Sequence, residues 1–159
     1  MKEYDHDYME THDIDWFCQI GERAIHCASN GGLIPNKVNN RNRNRQIQEI
    51  VANMDDIIEN REEIVVNDKY VYARLGRNES PQAYENYVST FIAMAKKGFV
   101  SFDRMIDEDD DPETYVWIAK PNRHIECQIE NIPRYQEDIC LSFFRRGMVL
   151  HVGCLNREE

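Results

Sequence analysis

The feature that most constrains this chain is a two-residue interruption between two apolar runs. Residues 15–20, DWFCQI, and 23–29, RAIHCAS, flank Gly21-Glu22. Gly at the first central position suits a type II′ turn, whose twist matches that of two paired strands. So short a loop fixes the register: Ile20 faces Arg23, Cys18 faces Ile25 and Trp16 faces Cys27. Opposed residues share a face. Trp16, Cys18, Ile20, Ile25 and Cys27 are therefore predicted to form a core face. Phe17, Gln19, Ala24, His26 and Ala28 form the other, with His26 half-buried beside Phe17.

Asn30-Gly31-Gly32 breaks the second strand. After an Asn-rich loop, Ile47, Ile50, Val51, Met54 and Ile58 recur at helical spacing and predict a helix over about 43–58. A second hairpin is expected at 64–66 and 70–73, with Asn67-Asp68 in its loop. Ser80 as N-cap and Pro81 at the first helical position start a second helix. Its buried stripe is Tyr84, Tyr87, Val88, Phe91, Ile92 and Ala95, and Gly98 ends it. Five strands follow, at about 99–104, 114–119, 123–130, 139–144 and 148–153. Pro121 and Pro133 mark breaks, and Arg145-Arg146-Gly147 reads as a hairpin loop. The order is ββα, ββα, then βββββ. Strands joined by tight hairpins are antiparallel. We therefore expect one α+β domain over 14–159: a largely antiparallel sheet of about seven to nine strands with two packed helices. Residues 1–13 show no periodicity and read as an acidic, flexible tail.

At 159 residues the chain has length for one core, and an apolar fraction of 42% is ordinary for a globular protein. No apolar run is long enough to cross a membrane, and the acidic N-terminus does not resemble a secretory signal. The five Cys are odd in number and do not cluster, so free thiols in a reducing cytoplasm are expected. Cys18, Cys27, Cys127 and Cys154 fall on apolar strand faces and are expected to be buried and metal-free.

Several clusters invite a catalytic or metal reading. In DWFCQIGERAIHCASNGG, strand parity puts Cys18 and His26 on opposite faces, which denies a local thiol–imidazole pair. His124…Cys127 and His151…Cys154 have zinc-ligand spacing. On extended strands, however, residues three apart point to opposite faces and cannot share an ion. Asp107, Asp109, Asp111 and Glu113 mimic the first half of a calcium loop. Pro112 stands where Gly is required, and Ile118 where a bidentate Glu should be. No phosphate loop, nucleophile elbow, zinc-protease helix or dinucleotide fingerprint is present, so no cofactor is implied. Catalytic residues assembled from distant segments would leave no motif, and none is assigned.

The net charge of −10 argues against broad binding to nucleic acid or anionic membranes. Against it stands a basic island: from Arg23 to Gln48 there are five cations and no acid. Gly31 and Gly32 offer backbone N–H groups for an anion. Lys37, Arg41, Arg43 and Arg45 lie near a helix N-terminus, which favours anions too. Either an external partner answers this charge, or the acids of the tail (Glu3, Asp5, Asp7, Glu10, Asp13) fold over it. The leading functional reading is a cytoplasmic module without catalysis that binds a protein partner or a small anionic ligand. The alternatives are a hydrolase-like enzyme with a site assembled across the sheet, and weak nucleic-acid contact through the Arg-rich loop 37–45.

Overall fold

The computed structural model describes residues 2–106, 111–136 and 149–157. Seven strands form one mixed sheet: β1 (Asp15–Ile20), β2 (Arg23–Ala28), β3 (Ile64–Val66), β4 (Val100–Arg104), β5 (Thr114–Pro121), β6 (Arg134–Tyr135) and β7 (Val149–His151). Among the described residues five α-helices accompany them: α1 (His6–Thr11), α2 (Arg41–Ala52), α3 (Asp68–Leu75), α4 (Pro81–Lys96) and α5 (Val152–Arg157). The sheet order is β3-β5-β4-β2-β1-β6, with β7 also paired to β5.

The first hairpin has the register that its loop dictates, with Trp16 opposite Cys27, Cys18 opposite Ile25 and Ile20 opposite Arg23. Gly21 takes φ +57°, as a type II′ turn needs. The second face of this hairpin is not half-exposed, however. Phe17, Ala24, His26 and Ala28 are all buried, because helices cover both sides of the sheet. α2 places Ile47 and Val51 against Phe17, Ala24 and Phe99. Beside it α4 packs Val88, Phe91, Ile92 and Ala95 on Ala28, Val116 and Ile118. On the opposite face, Trp16, Cys18, Ile25, Cys27 and Phe102 meet Tyr4 and Met9, Ile34 and Val38, and Val152 and Leu155.

The sheet is mostly antiparallel, but β2 pairs with β4 and β1 with β6 in parallel. The long crossover from β2 to β4 carries α2, α3 and α4, as a parallel connection requires. Among the described residues, five α-helices stand where two were expected. The second hairpin is absent: after β3, Asn67 caps α3 instead of turning, its side chain accepting the Tyr70 N–H at 3.4 Å. Asn serves a turn and an N-cap equally well.

α2 ends six residues earlier than its apolar pattern suggested, with Lys97 Nζ donating to the Val51 carbonyl at 2.6 Å. Ile50 is consequently exposed, and Ile58 is buried from a loop. Residues 123–130 keep alternating exposure without becoming a strand, making one bridge from Glu126 to Arg23. Alternation there marks an extended segment laid along the molecule. The chain also turns after His151 into α5, so Val152 and Gly153 are helical rather than strand. The strand expected at 139–144 and the turn at 145–147 lie outside the described residues.

The N-terminal segment, read from sequence as a tail, lies against the domain. Tyr4 and Met9 are buried. Tyr4 exchanges hydrogen bonds with Asn39 (2.7 and 3.0 Å), and the Arg41 N–H donates to the Lys2 carbonyl at 2.8 Å. Among the described residues, no helix is long and apolar enough to cross a membrane.

Candidate functional site

The basic island is dispersed. Lys37 points toward β6, its Nζ donating to the Arg134 carbonyl at 3.0 Å and lying 4.6 Å from the Tyr135 ring centre. Arg43 turns inward and donates to the Lys37 carbonyl. Arg41 lies over the rings of Tyr4 and Tyr8, at 5.3 and 4.9 Å. Arg45 is exposed and shares with Arg41 a polar cavity of about 280 Å³ that also includes Asp13. The backbone donors are already engaged. Gly31 N–H donates to the His12 carbonyl and Gly32 N–H to that of Ser29. At the start of α2 the Arg43 N–H is taken by Asn40. The N-terminal segment covers Arg41 with aromatic rings, and three of its acids have other partners. Asp5 caps α1, Glu10 pairs with His6 and Asp13 accepts from the Asn30 N–H.

Distance in sequence hid a Ser–His–Asp alignment. His26 Nδ1 lies 2.7 Å from Ser101 Oγ, and Nε2 lies 2.8 Å from Asp15 Oδ1. Parallel pairing of β2 with β4 sets His26 directly beside Ser101. Ser101 and His26 are fully buried. No substrate carbonyl reaches that hydroxyl, as nucleophilic attack requires. The alignment instead satisfies an imidazole sealed in an apolar interior, with Phe17 5.3 Å away.

Among the described residues three groups of side chains could approach a metal ion: His6, Asp7 and Glu10; Glu22, His124 and Glu126; Asp111, Glu113 and His151. The third joins two segments that the sequence kept apart, because Thr114 pairs with His151 across β5 and β7. Gly153 N–H donates to His151 Nδ1 at 3.1 Å, so a neutral ring carries its proton on Nε2, the atom facing Glu113. That ring has no lone pair left for a cation. Asp111 is held below the usual carboxylate range by the Thr114 hydroxyl and the Glu113 N–H, which occupy its oxygens. Cys18 and Cys27 are buried, and burial pushes the Cys27 thiol well up, with Cys18 adding to the effect. Cys127 and Cys154 are half-buried rather than buried, since neither lies on a strand.

A notch of about 600 Å³ lies at the edge of β5. β3 and β7 occupy separate stretches of that edge, pairing at Ala119–Pro121 and Thr114–Val116. Between them Asn67 takes over: its N–H donates to the Ile118 carbonyl at 2.8 Å and its Nδ2 to that of Trp117 at 3.0 Å. This anchor sets α3 across the notch. Trp117, Met105, Val116 and Val149 supply an apolar wall, and Tyr70 and Arg74 supply a polar one.

Tyr70 and Arg74 are four residues apart and so share a helix face. Arg74 is fixed from behind. Its Nη2 lies 3.7 Å from Asp103 Oδ2, and its guanidinium carbon 4.9 Å from the Tyr87 ring centre. Tyr87 donates to the same Asp103 oxygen at 2.6 Å, and the Arg104 N–H donates to Asp103 Oδ1 at 2.9 Å. Burial raises Asp103 above its ordinary carboxylate value, opposed by Tyr87 and Arg74. Burial also raises Tyr87, with Asp103 adding to the shift. Asp103 is only 3% exposed and its oxygens are engaged, so it positions Arg74 rather than meeting a ligand. None of these residues was singled out as a site from sequence. Tyr70 and Arg74 align once 68–75 is a helix, and a charge at Asp103 inside VSFDR was the available signal.

No protein-family model, no curated protein and no solved structure matches this chain.

Proposed function

We propose that the protein is a binding module without catalysis for a small amphipathic anion, seated in the notch beside β5. The observation that carries this reading is an apolar cavity with one immobilised guanidinium in its wall. Ligand sites are typically concave and mostly apolar, with a few fixed polar groups that set orientation. A flat hydrocarbon or aromatic body would lie against Trp117, Met105 and Val149. Its carboxylate would meet Arg74, with Lys69 at the rim. Arg74 is already locked by Asp103 and Tyr87, so little rotamer freedom is lost on binding. Asp103 and Tyr87, whose ionisation is shifted, stand behind the wall, which favours recognition over proton transfer.

The test is titration with an arylalkyl carboxylate and with its methyl ester, followed through Trp117 fluorescence. The carboxylate should bind saturably and the ester weakly. Ala73→Trp, which fills the cavity from exposed α3 without removing a partner, should abolish binding while leaving the fold intact. Equal binding of acid and ester, or undiminished binding to Ala73→Trp, would refute the reading.

A further inference from the structure

A cavity of about 400 Å³ opens over the start of β1, where α2 and α4 cover the sheet. β1 contributes Asp15 and Phe17 to its wall, α2 contributes Gln48, Val51 and Ala52, and α4 contributes Met94. Asp13 stands beside them, with Oδ1 taken by the Asn30 N–H at 2.9 Å. No basic side chain belongs to this wall, and Arg45 lines the neighbouring cavity instead. Asp15 is held at two points. Its carbonyl accepts from Asn44 Nδ2 at 3.0 Å and from Gln48 Nε2 at 2.8 Å, two side chains one helical turn apart on α2. Its carboxylate meets the buried His26, whose Nε2 lies 2.8 Å from Oδ1. With the Ser101 hydroxyl donating to Nδ1, the neutral ring carries its proton on Nε2 and gives it to Asp15. A neutral donor orients a carboxylate without cancelling its charge. The Asp15 side chain is 46% exposed, and no lysine or arginine of the described residues pairs with it. The array thus seals its hydroxyl and presents its carboxylate, the reverse of what nucleophilic attack needs.

We propose that this cavity binds the primary ammonium group of a small amphipathic amine, with Asp15 as its counter-ion and the hydrocarbon against Phe17, Val51 and Met94. The polar atoms on offer are acceptors: the Asp15 carboxylate, the second Asp13 oxygen, and Oε1 of Gln48, whose amide nitrogen already donates to the Asp15 carbonyl. An ammonium group brings three donors and no acceptor, which complements such a set. The apolar floor suits a carbon chain or ring and disfavours a hard metal ion that keeps its waters. Asp15 is fixed through both backbone and side chain, so little freedom is lost on binding. The net charge of −10 draws cations toward the chain. This site is separate from the notch beside β5 and does not depend on what binds there.

The experiment is an amide chemical-shift titration of the full chain at low salt with three probes: phenethylamine, 2-phenylethanol, which lacks the charge, and 3-phenylpropionate, which reverses it. The amine should give saturable shifts at Asp15, Phe17, Gln48 and Met94, and the other two should not. Asp15→Asn keeps the shape of the side chain and should weaken amine binding by roughly tenfold or more, the size expected for a charge-assisted hydrogen bond. Ala52→Trp fills the cavity from the exposed end of α2 and should abolish binding, so that a fault in the His26 array is not mistaken for lost recognition. Ala73→Trp, in the separate notch, should leave amine binding unchanged. Shifts that grow without saturation at every exposed carboxylate alike would overturn the proposal. So would full affinity in Asp15→Asn or in Ala52→Trp, loss of binding in Ala73→Trp, or the alcohol or the acid binding as tightly as the amine.

Discussion

Arg74 and Tyr87 converge on one carboxylate oxygen while touching each other. Tyr87 donates to Asp103 Oδ2 at 2.6 Å, Arg74 Nη2 lies 3.7 Å from that atom, and the guanidinium carbon is 4.9 Å from the tyrosine ring centre. A triangle of this kind constrains each member twice. It joins α3, α4 and β4 by polar contacts in a region otherwise closed by apolar packing.

Its first consequence is a pH dependence. Burial raises Asp103 above its ordinary value of 3.8, so the folded state holds this proton more tightly than the unfolded state. The sign follows from linkage. The contribution to stability is fully present below the unfolded value and is lost as pH rises through the raised native one. The difference in melting temperature between wild type and Asp103→Asn should therefore shift against the wild type as pH rises from about 3.5 toward neutrality. A difference that stays flat over that range would show that Asp103 titrates normally.

Ser101→Ala should destabilise the protein by about 1–3 kcal/mol, the cost of leaving a buried polar atom of His26 unpaired. Asp15→Asn should cost less, since the Asp15 side chain is 46% exposed and water screens the pair. Urea denaturation reads both. An unchanged midpoint in Ser101→Ala would mean that the hydroxyl is not the partner that His26 needs.

Phe91 is 6% exposed, between α4 and the sheet, near Tyr87 and His26. Phe91→Ala should cost roughly 3–5 kcal/mol through lost burial and the cavity it leaves. Wild-type thermal stability in that variant would contradict the docking of α4.

Tyr4→Ala should cost about 1.5–3 kcal/mol from lost burial. It should also make residues 2–13 the first site of proteolytic cleavage. If cleavage there is equally fast in wild type and variant, the segment is not held by Tyr4.

The legible parts of this fold are those whose signals are local. A two-residue loop fixed Trp16 opposite Cys27, and Ser80-Pro81 fixed the start of α4. What stayed hidden depended on partners far along the chain. The pairing of His26 with Ser101 spans 75 residues, and no periodicity in either strand announces a parallel neighbour. Asn67 carries the same chemistry in a turn as in a cap. Only its bonds to Trp117 and Ile118 decide between them. The notch was illegible for a related reason. Arg74, Tyr87 and Asp103 come from three elements, and each alone looks like an ordinary helix or strand residue. The basic island was conspicuous because its cations are contiguous. Contiguity in sequence, however, sent Lys37, Arg41 and Arg43 in three directions.

The division of one β5 edge between β3 and β7 also bears on self-association. An eight-residue strand with a bare edge is a template to which another chain can add in register. Here that edge ends in two three-residue strands with Asn67 between them, and at the other side of the sheet β6 is two residues long. Among the described residues, the two strands on the β5 edge thus each offer too short a row of N–H and C=O groups to seed fibril-like growth. The break in pairing that opens the notch also denies a neighbouring molecule a long strand to copy.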